Sequence, residues 1–175
     1  MVPASGRRGP RRAGGKNDPA EPEDHALGRS RGGFGSRFHL LSDGHGTPLN
    51  VVLTAGQVHE STQFRALLLG RRPPGRTGWP LALAGDKAYS SREIRTMLDR
   101  RLIEPVIPLR DNQIPEPLDL PLIKKVYRRR NAIERAVGWL KECRRVGTRF
   151  EKLALSYLAM LHLAIMRRYL RMLTG

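Results

Sequence analysis

The sequence holds a single cysteine, Cys143, among 175 residues. That excludes an internal disulfide and any cysteine-based zinc cluster, and it fits a reducing cytosol. The opening residues are not expected to act as a secretory signal, because basic residues are present but no apolar stretch follows them. Long hydrophobic runs are also scarce. The longest, Leu153 to Met166, contains His162 and falls short of the roughly 20 residues a spanning helix needs. It reads as a buried helix, and no membrane partner follows from it. Acidic charge is the last scarcity, with 16 Asp and Glu against 32 Lys and Arg for a formal net charge of +16. A polyanion therefore comes first among partners, since side chains that neutralise phosphates release condensed counterions. Nucleic acid leads that class, although ribosomal proteins and membrane-surface binders share the composition. The length allows one domain of catalytic size, burying about 68–70% of its unfolded surface.

Residues Met1 to about Arg31 combine Gly, Pro, Ala and Arg with the acids Asp18, Glu21, Glu23 and Asp24 and show no apolar period. They are expected to be disordered, with one domain following over 32–175. Phe34, Phe38, Leu40 and Leu41 precede Asp43-Gly44-His45-Gly46, and Leu49, Val51, Val52 and Leu53 follow it, which predicts an antiparallel hairpin. Phe64, Leu67 and Leu68 predict a helix over Glu60 to Leu69 with Ser61 as its cap. A Gly, Pro and Arg linker over 70–78 leads to a short buried strand from Trp79 to Ala84, closed by Gly85-Asp86. Ser90 or Ser91 caps the next helix, whose apolar face is Ile94, Met97, Leu98 and Leu102, and Pro105 to Pro108 reads as a brief strand. After a loop from Arg110 to Pro121, a basic helical region runs from about Ile123 to Leu173, broken near Gly147. The element order predicts an α/β layer fold with a mixed sheet and flanking helices.

The chemistry concentrates in Tyr127, Arg130, Glu134 and Lys141, which fall within roughly 60° of one another at 100° per residue of helix. Val126, Ile133, Val137 and Leu140 occupy the adjoining face, so this polar stripe borders the buried side. Two readings of Glu134 stand: an ordinary i,i+4 pair with Arg130 contributing a few tenths of a kcal/mol, or a rigid carboxylate kept ionised by Arg130 and Lys141 and able to ligate a metal. Asp86 has two readings as well. An acid at the C-terminal end of a buried strand is where α/β folds place ligands, or it starts a turn and caps the next helix. Arg144, Arg145 and Arg149 are either a solvated face or the lining of a DNA groove. His39, His45, His59 and His162 lack the spacing of a shared metal site, and Trp79 and Trp139 read as packing residues. Phosphoryl transfer on DNA uses two hard cations held by carboxylates, magnesium being the usual choice.

Tyr127, Arg130, Glu134 and Lys141, separated by two, three and six residues, match a known signature. On it the sequence resembles DDE-type insertion-sequence transposases with a ribonuclease H-like catalytic domain. Asp24 to Gly33, Leu53 to Ser61, and Gly85 to Tyr89 look like further blocks of that family in the right order, and the likeness covers about residues 23–173. The resemblance implies that Asp86 and Glu134 are the second and third acids of the catalytic triad and bind magnesium. It implies that Tyr127, Arg130 and Lys141, with Arg144 and Arg145 nearby, contact double-stranded DNA at transposon ends and target, and that a homodimer forms on DNA in the cytoplasmic nucleoid. The first acid belongs upstream of Asp24 on a strand preceding the hairpin. Asp18 and Asp24 lack strand character, Asp43 starts a turn, and Met1 to about Lys16 does not match, as for a truncated or second-frame product. The expected sheet is thus incomplete at its N-terminal strand, with an exposed edge, and the chain alone is expected to be inactive. The alternative is a non-catalytic basic DNA-binding or regulatory remnant that competes for transposon ends.

Overall fold

A computed structural model describes residues 23–30, 33–70, 79–110 and 127–174. The expectations for Met1 to Pro22, for the 71–78 linker and for 111–126, Val126 among them, lie outside the described residues. Order begins before Gly32: a single helical turn, Glu23–His25, leads into β1 (Gly28–Ser30), which pairs antiparallel with the start of β2 (Gly33–Ser42). A further partner holds this segment from the core side. Arg149 donates to the carbonyl of His25 at 2.7 Å and to Ser36 Oγ, and Ser36 in turn donates to the Ala26 carbonyl at 2.5 Å. Such long-range bonds are invisible to a reading of local composition.

The hairpin forms as its turn residues predict. β2 pairs antiparallel with β3 (Pro48–Ala55), Phe38 opposite Leu53 and Leu40 opposite Val51. Asp43 closes the turn by accepting the backbone N–H groups of His45 and Thr47, both at 2.9 Å. Gly46 adopts φ +87, and a Cβ there would stand 2.7 Å from the Ala132 carbonyl oxygen. The turn therefore requires glycine twice, for its backbone and for the close approach of the helix beyond it.

After β3 a helical turn, Glu60–Gln63, runs into α1 (Phe64–Leu69). Its cap is the His59 ring, which accepts from Ser61 N, rather than Ser61 itself. β4 (Ala82–Ala84) pairs in parallel with β5 (Glu104–Val106), and α2 (Arg92–Asp99) crosses between them, capped by Ser91 accepting from Ile94 N. Leu102 departs from expectation: it is 90% exposed with φ +55, because α2 ends at Asp99 and a left-handed residue redirects Ile103 into the core. In the basic region the described residues include α3 (Asn131–Glu142), the four-residue α4 (Arg144–Gly147) and the 21-residue α5 (Ala154–Thr174). None of the described helices is long and apolar enough to cross a membrane.

The protein is mixed α/β, and among the described residues its strands form two small sheets, β1-β2-β3 and β4-β5, rather than the single mixed sheet expected from the element order. Two clusters of buried side chains correspond to them. Phe38, Leu40 and Val51 pack with Val137, Leu140, Tyr157 and Leu161 of α3 and α5, while Phe64, Leu68, Tyr89, Ile94, Leu98 and Ile103 form the other cluster around α1 and α2. Alternation along β2 assigns the faces. Phe38 and Leu40 point to α3 and α5; Arg37 and His39 point to the α1 side, where Asn50 Nδ2 bonds the Leu67 carbonyl at 2.8 Å. Three consecutive residues, Phe38, His39 and Leu40, are buried, the pattern of a strand covered on both faces.

Candidate functional site

Two clusters of charged side chains flank the hairpin. The first is built at the start of α3. Tyr127 to Arg129 form a helical turn that closes with Arg130 N bonding the Tyr127 carbonyl at 3.0 Å, and α3 begins at Asn131. Ala132, Ala136, Val137 and Leu140 bury one side of α3, which fixes its rotation and turns Glu134 toward the half-exposed border. Arg130 Nη2 donates to Glu134 Oε1 at 2.9 Å, and the same guanidinium lies 5.2 Å from the centre of the Tyr127 ring. Arg130 therefore contacts both Tyr127 and Glu134. Lys141 follows two turns along, where partial burial pulls its ammonium below the ordinary lysine value.

The second cluster surrounds Asp86. Its Oδ1 accepts Ala88 N at 2.8 Å and caps the helical turn Lys87–Tyr89 just beyond β4. Across from it Arg37 Nη1, on β2, pairs with Glu60 Oε1 at 2.9 Å, both side chains being largely withdrawn from solvent. Burial, then the neighbouring charge of Asp86, raises the Glu60 carboxyl above its usual value against the opposing pull of Arg37. The Tyr89 phenol is raised by burial first and then by Glu60 and Asp86. Sequence reading passed over Arg37 and Glu60. Glu60 lies inside the Leu53 to Ser61 block, but its value depends on a fold contact between two helical turns well separated in the chain.

These two clusters are built on different elements. Asp86, Glu60 and Arg37 occupy the Arg37 face of the hairpin, near the open ends of β2 and β3, whereas α3 packs on the Phe38 and Leu40 face and begins beside the turn at Gly46. Both local readings of the acids are realised, Glu134 pairing with Arg130 and Asp86 capping a turn. Among the described residues no three His, Cys, Asp or Glu side chains converge to hold a metal. Asp86 lies near Glu60 and Glu134 pairs with Arg130, and no reaction step is routed through a metal here.

The remaining basic residues divide by partner. Arg144 lies 5.8 Å from the Phe150 ring and Arg145 reaches Glu151 at 3.3 Å, yet both stay exposed. Arg149 is structural: besides His25 and Ser36 it bonds the Glu151 and Lys152 carbonyls at 2.8 Å and sits 5.1 Å from the Tyr157 ring. His39 Nε2 bonds Thr54 Oγ1 at 2.9 Å inside the fold. Trp79 packs on the second core beneath Arg101, and Trp139 packs on the first beneath Arg168. Asp24 is exposed in the first helical turn, and Asp43 belongs to the hairpin turn.

Comparison with known proteins points one way. Residues 9–168 match the family described as the transposase DDE domain. The chain is 35% identical over 126 residues, 69% of its length, to a protein of Burkholderia cepacia named as a transposase for insertion sequence element IS402, of which it spans 56%. It is 27% identical over 137 residues, 78% of its length, to a Brucella ovis protein named as a transposase for insertion sequence element IS6501, of which it spans 98%. No solved structure matches.

Proposed function

This chain belongs to the transposase DDE domain family, and on that premise we propose that it is a DNA-binding module of transposition which is catalytically silent by itself. It holds duplex DNA of transposon ends and target through Tyr127, Arg130, Lys141, Arg144 and Arg145, and it works on the nucleoid. The observation that carries this reading is that each acid is engaged by a local partner, Asp86 by the backbone N–H of Ala88 and Glu134 by Arg130. Phosphoryl transfer through magnesium requires carboxylates to converge on one site. The basic cluster at the start of α3 needs no such convergence to bind phosphate.

A second reading is favoured by the β2 strand. It is buried on both faces, and over Ser36–Ser42 β3 is its one strand partner among the described residues. In this reading a further strand bearing the first acid completes a ribonuclease H-like sheet, and Asp86 and Glu134 become the second and third acids of a metal-dependent cleavage and strand-transfer site, in a homodimer on DNA.

One assay separates the two. The purified chain is mixed with terminal-repeat duplex and magnesium, alone and after joining to its N-terminal region, near residue 20, a segment carrying the strand with the first acid. The silent module gives salt-sensitive binding without nicking in both cases. Cleavage restored by the added strand and abolished by Asp86→Asn or Glu134→Gln establishes the second reading. Cleavage by the chain alone that persists in Glu134→Gln overturns both.

A further inference from the structure

Phe150 lies between α4 and α5 with 60% of its surface exposed, on a backbone that its neighbours hold on both sides. Before it, Val146 is buried and its carbonyl accepts the Tyr157 hydroxyl at 2.8 Å. A Cβ on Gly147 would collide with the Lys141 carbonyl oxygen, so the end of α4 is pressed against the end of α3. After it, the Arg149 guanidinium binds the carbonyls of Glu151 and Lys152, both at 2.8 Å, and reaches the His25 carbonyl at 2.7 Å. Arg149 and Glu151 thus have their side chains engaged in the fold, and the ring between them faces solvent. A single exposed apolar side chain is ordinary; the company of this one is not. The Arg144 guanidinium lies 5.8 Å from the ring centre, within cation–π range. Arg145 and Lys152, both exposed, flank it in the chain, and Glu151, the nearest acid in sequence, is largely withdrawn from solvent and paired with Arg145.

We propose that Phe150 and Arg144 form a stacking site for an unpaired base of single-stranded DNA, at the α4 end of the basic stripe that runs from Tyr127 to Lys141. A phenyl ring offers a base its flat face and no hydrogen bond, so it holds any base without reading its identity. The cations beside it supply what the ring lacks, a partner for the phosphates on either side of that base. Bases of an intact duplex already stack on one another, and the ring therefore reaches only a base that has left the helix or lies beyond its end. Because the backbone around Phe150 is fixed before any ligand arrives, little ordering opposes the contact. The proposal rests on the DNA-binding reading of the α3 cluster and adds to it the form of DNA that is preferred.

Fluorescence anisotropy of the full chain with a blunt duplex, and with the same duplex carrying a single-stranded overhang, tests it. The expected result is a preference for the overhang of about tenfold, which Phe150→Ala erases and Phe150→Trp keeps, both variants retaining the helical circular dichroism because the side chain is exposed in the fold. A second measurement follows the fluorescence that Phe150→Trp adds to the parent. A short oligothymidine should quench it, and an abasic strand of the same length, with the same phosphates and no bases, should not. Equal affinity of the parent for the two duplexes overturns the proposal and leaves the DNA-binding reading standing. So does a preference that survives Phe150→Ala, or equal quenching by the abasic strand. A parent chain that binds none of these DNAs overturns both.

Discussion

Asp86 and Glu134 stand on opposite faces of the β2–β3 hairpin. Asp86 faces Glu60, whose carboxylate pairs with Arg37 on one side of β2, and Glu134 rises from a helix packed against Phe38 and Leu40 on the other. Each acid is held by its nearest neighbours in sequence, Ala88 N for one and Arg130 for the other. The two acids should therefore respond independently to substitution.

Glu134→Gln removes the carboxylate that engages Arg130 and leaves the shape intact. DNA affinity at low salt should rise, by about two- to fivefold for a contribution of a few tenths to 1 kcal/mol. Asp86→Asn should leave it unchanged. Fluorescence anisotropy with a short duplex reads both, and an equal response from the two variants would contradict their separation.

Replacing Arg130 and Lys141 together by Ala should flatten the slope of log K against log salt by about two units, close to one for each phosphate no longer neutralised. The stability cost should remain small, since the Arg130–Glu134 pair is half exposed and contributes only about 0.3–0.5 kcal/mol. A slope that stays the same would exclude both side chains from the DNA backbone.

His39 is fully buried, and burial, aided by the charge of Arg37, pushes its imidazole down to about 4 from an ordinary value of 6.5. The unfolded chain thus takes up a proton that the folded chain refuses. Stability from this group is intact above pH 6.5 and declines as pH falls toward 4, by about 3 kcal/mol over that window. Urea unfolding at pH 7 and pH 4.5 should show the loss, and His39→Gln, which cannot titrate, should lose about 2–3 kcal/mol less between the two. Parallel pH dependence in both proteins would disprove the assignment.

Gly46→Ala should destabilise the fold by about 1–3 kcal/mol through its positive φ, with a further cost from the contact with the Ala132 carbonyl. Gly44→Ala, where an added Cβ meets nothing within 4 Å, should lie within about 1 kcal/mol of the parent in either direction. Thermal melts of the two variants compare them directly. Similar melting temperatures would mean that the turn does not seat α3.

By itself the sequence determined the features that depend on neighbours in the chain. Asp43-Gly44-His45-Gly46 specified the turn, the alternation of Phe38 and Leu40 specified the hairpin's buried face, and Ser91 specified the start of α2, because turns, pleats and caps are settled within a few residues. The spacing from Tyr127 to Lys141 likewise marked the family. Tertiary structure decided what lies across the fold. It recruited Arg149 to hold residues 25–36, brought Glu60 and Arg37 to Asp86, and turned Leu102 outward so that Ile103 could be buried. It also divided the expected sheet in two and put the two acids on separate faces. Helical and strand periods report which side of one element is apolar, but not which other element will cover it, and the distance between two acids depends entirely on that choice.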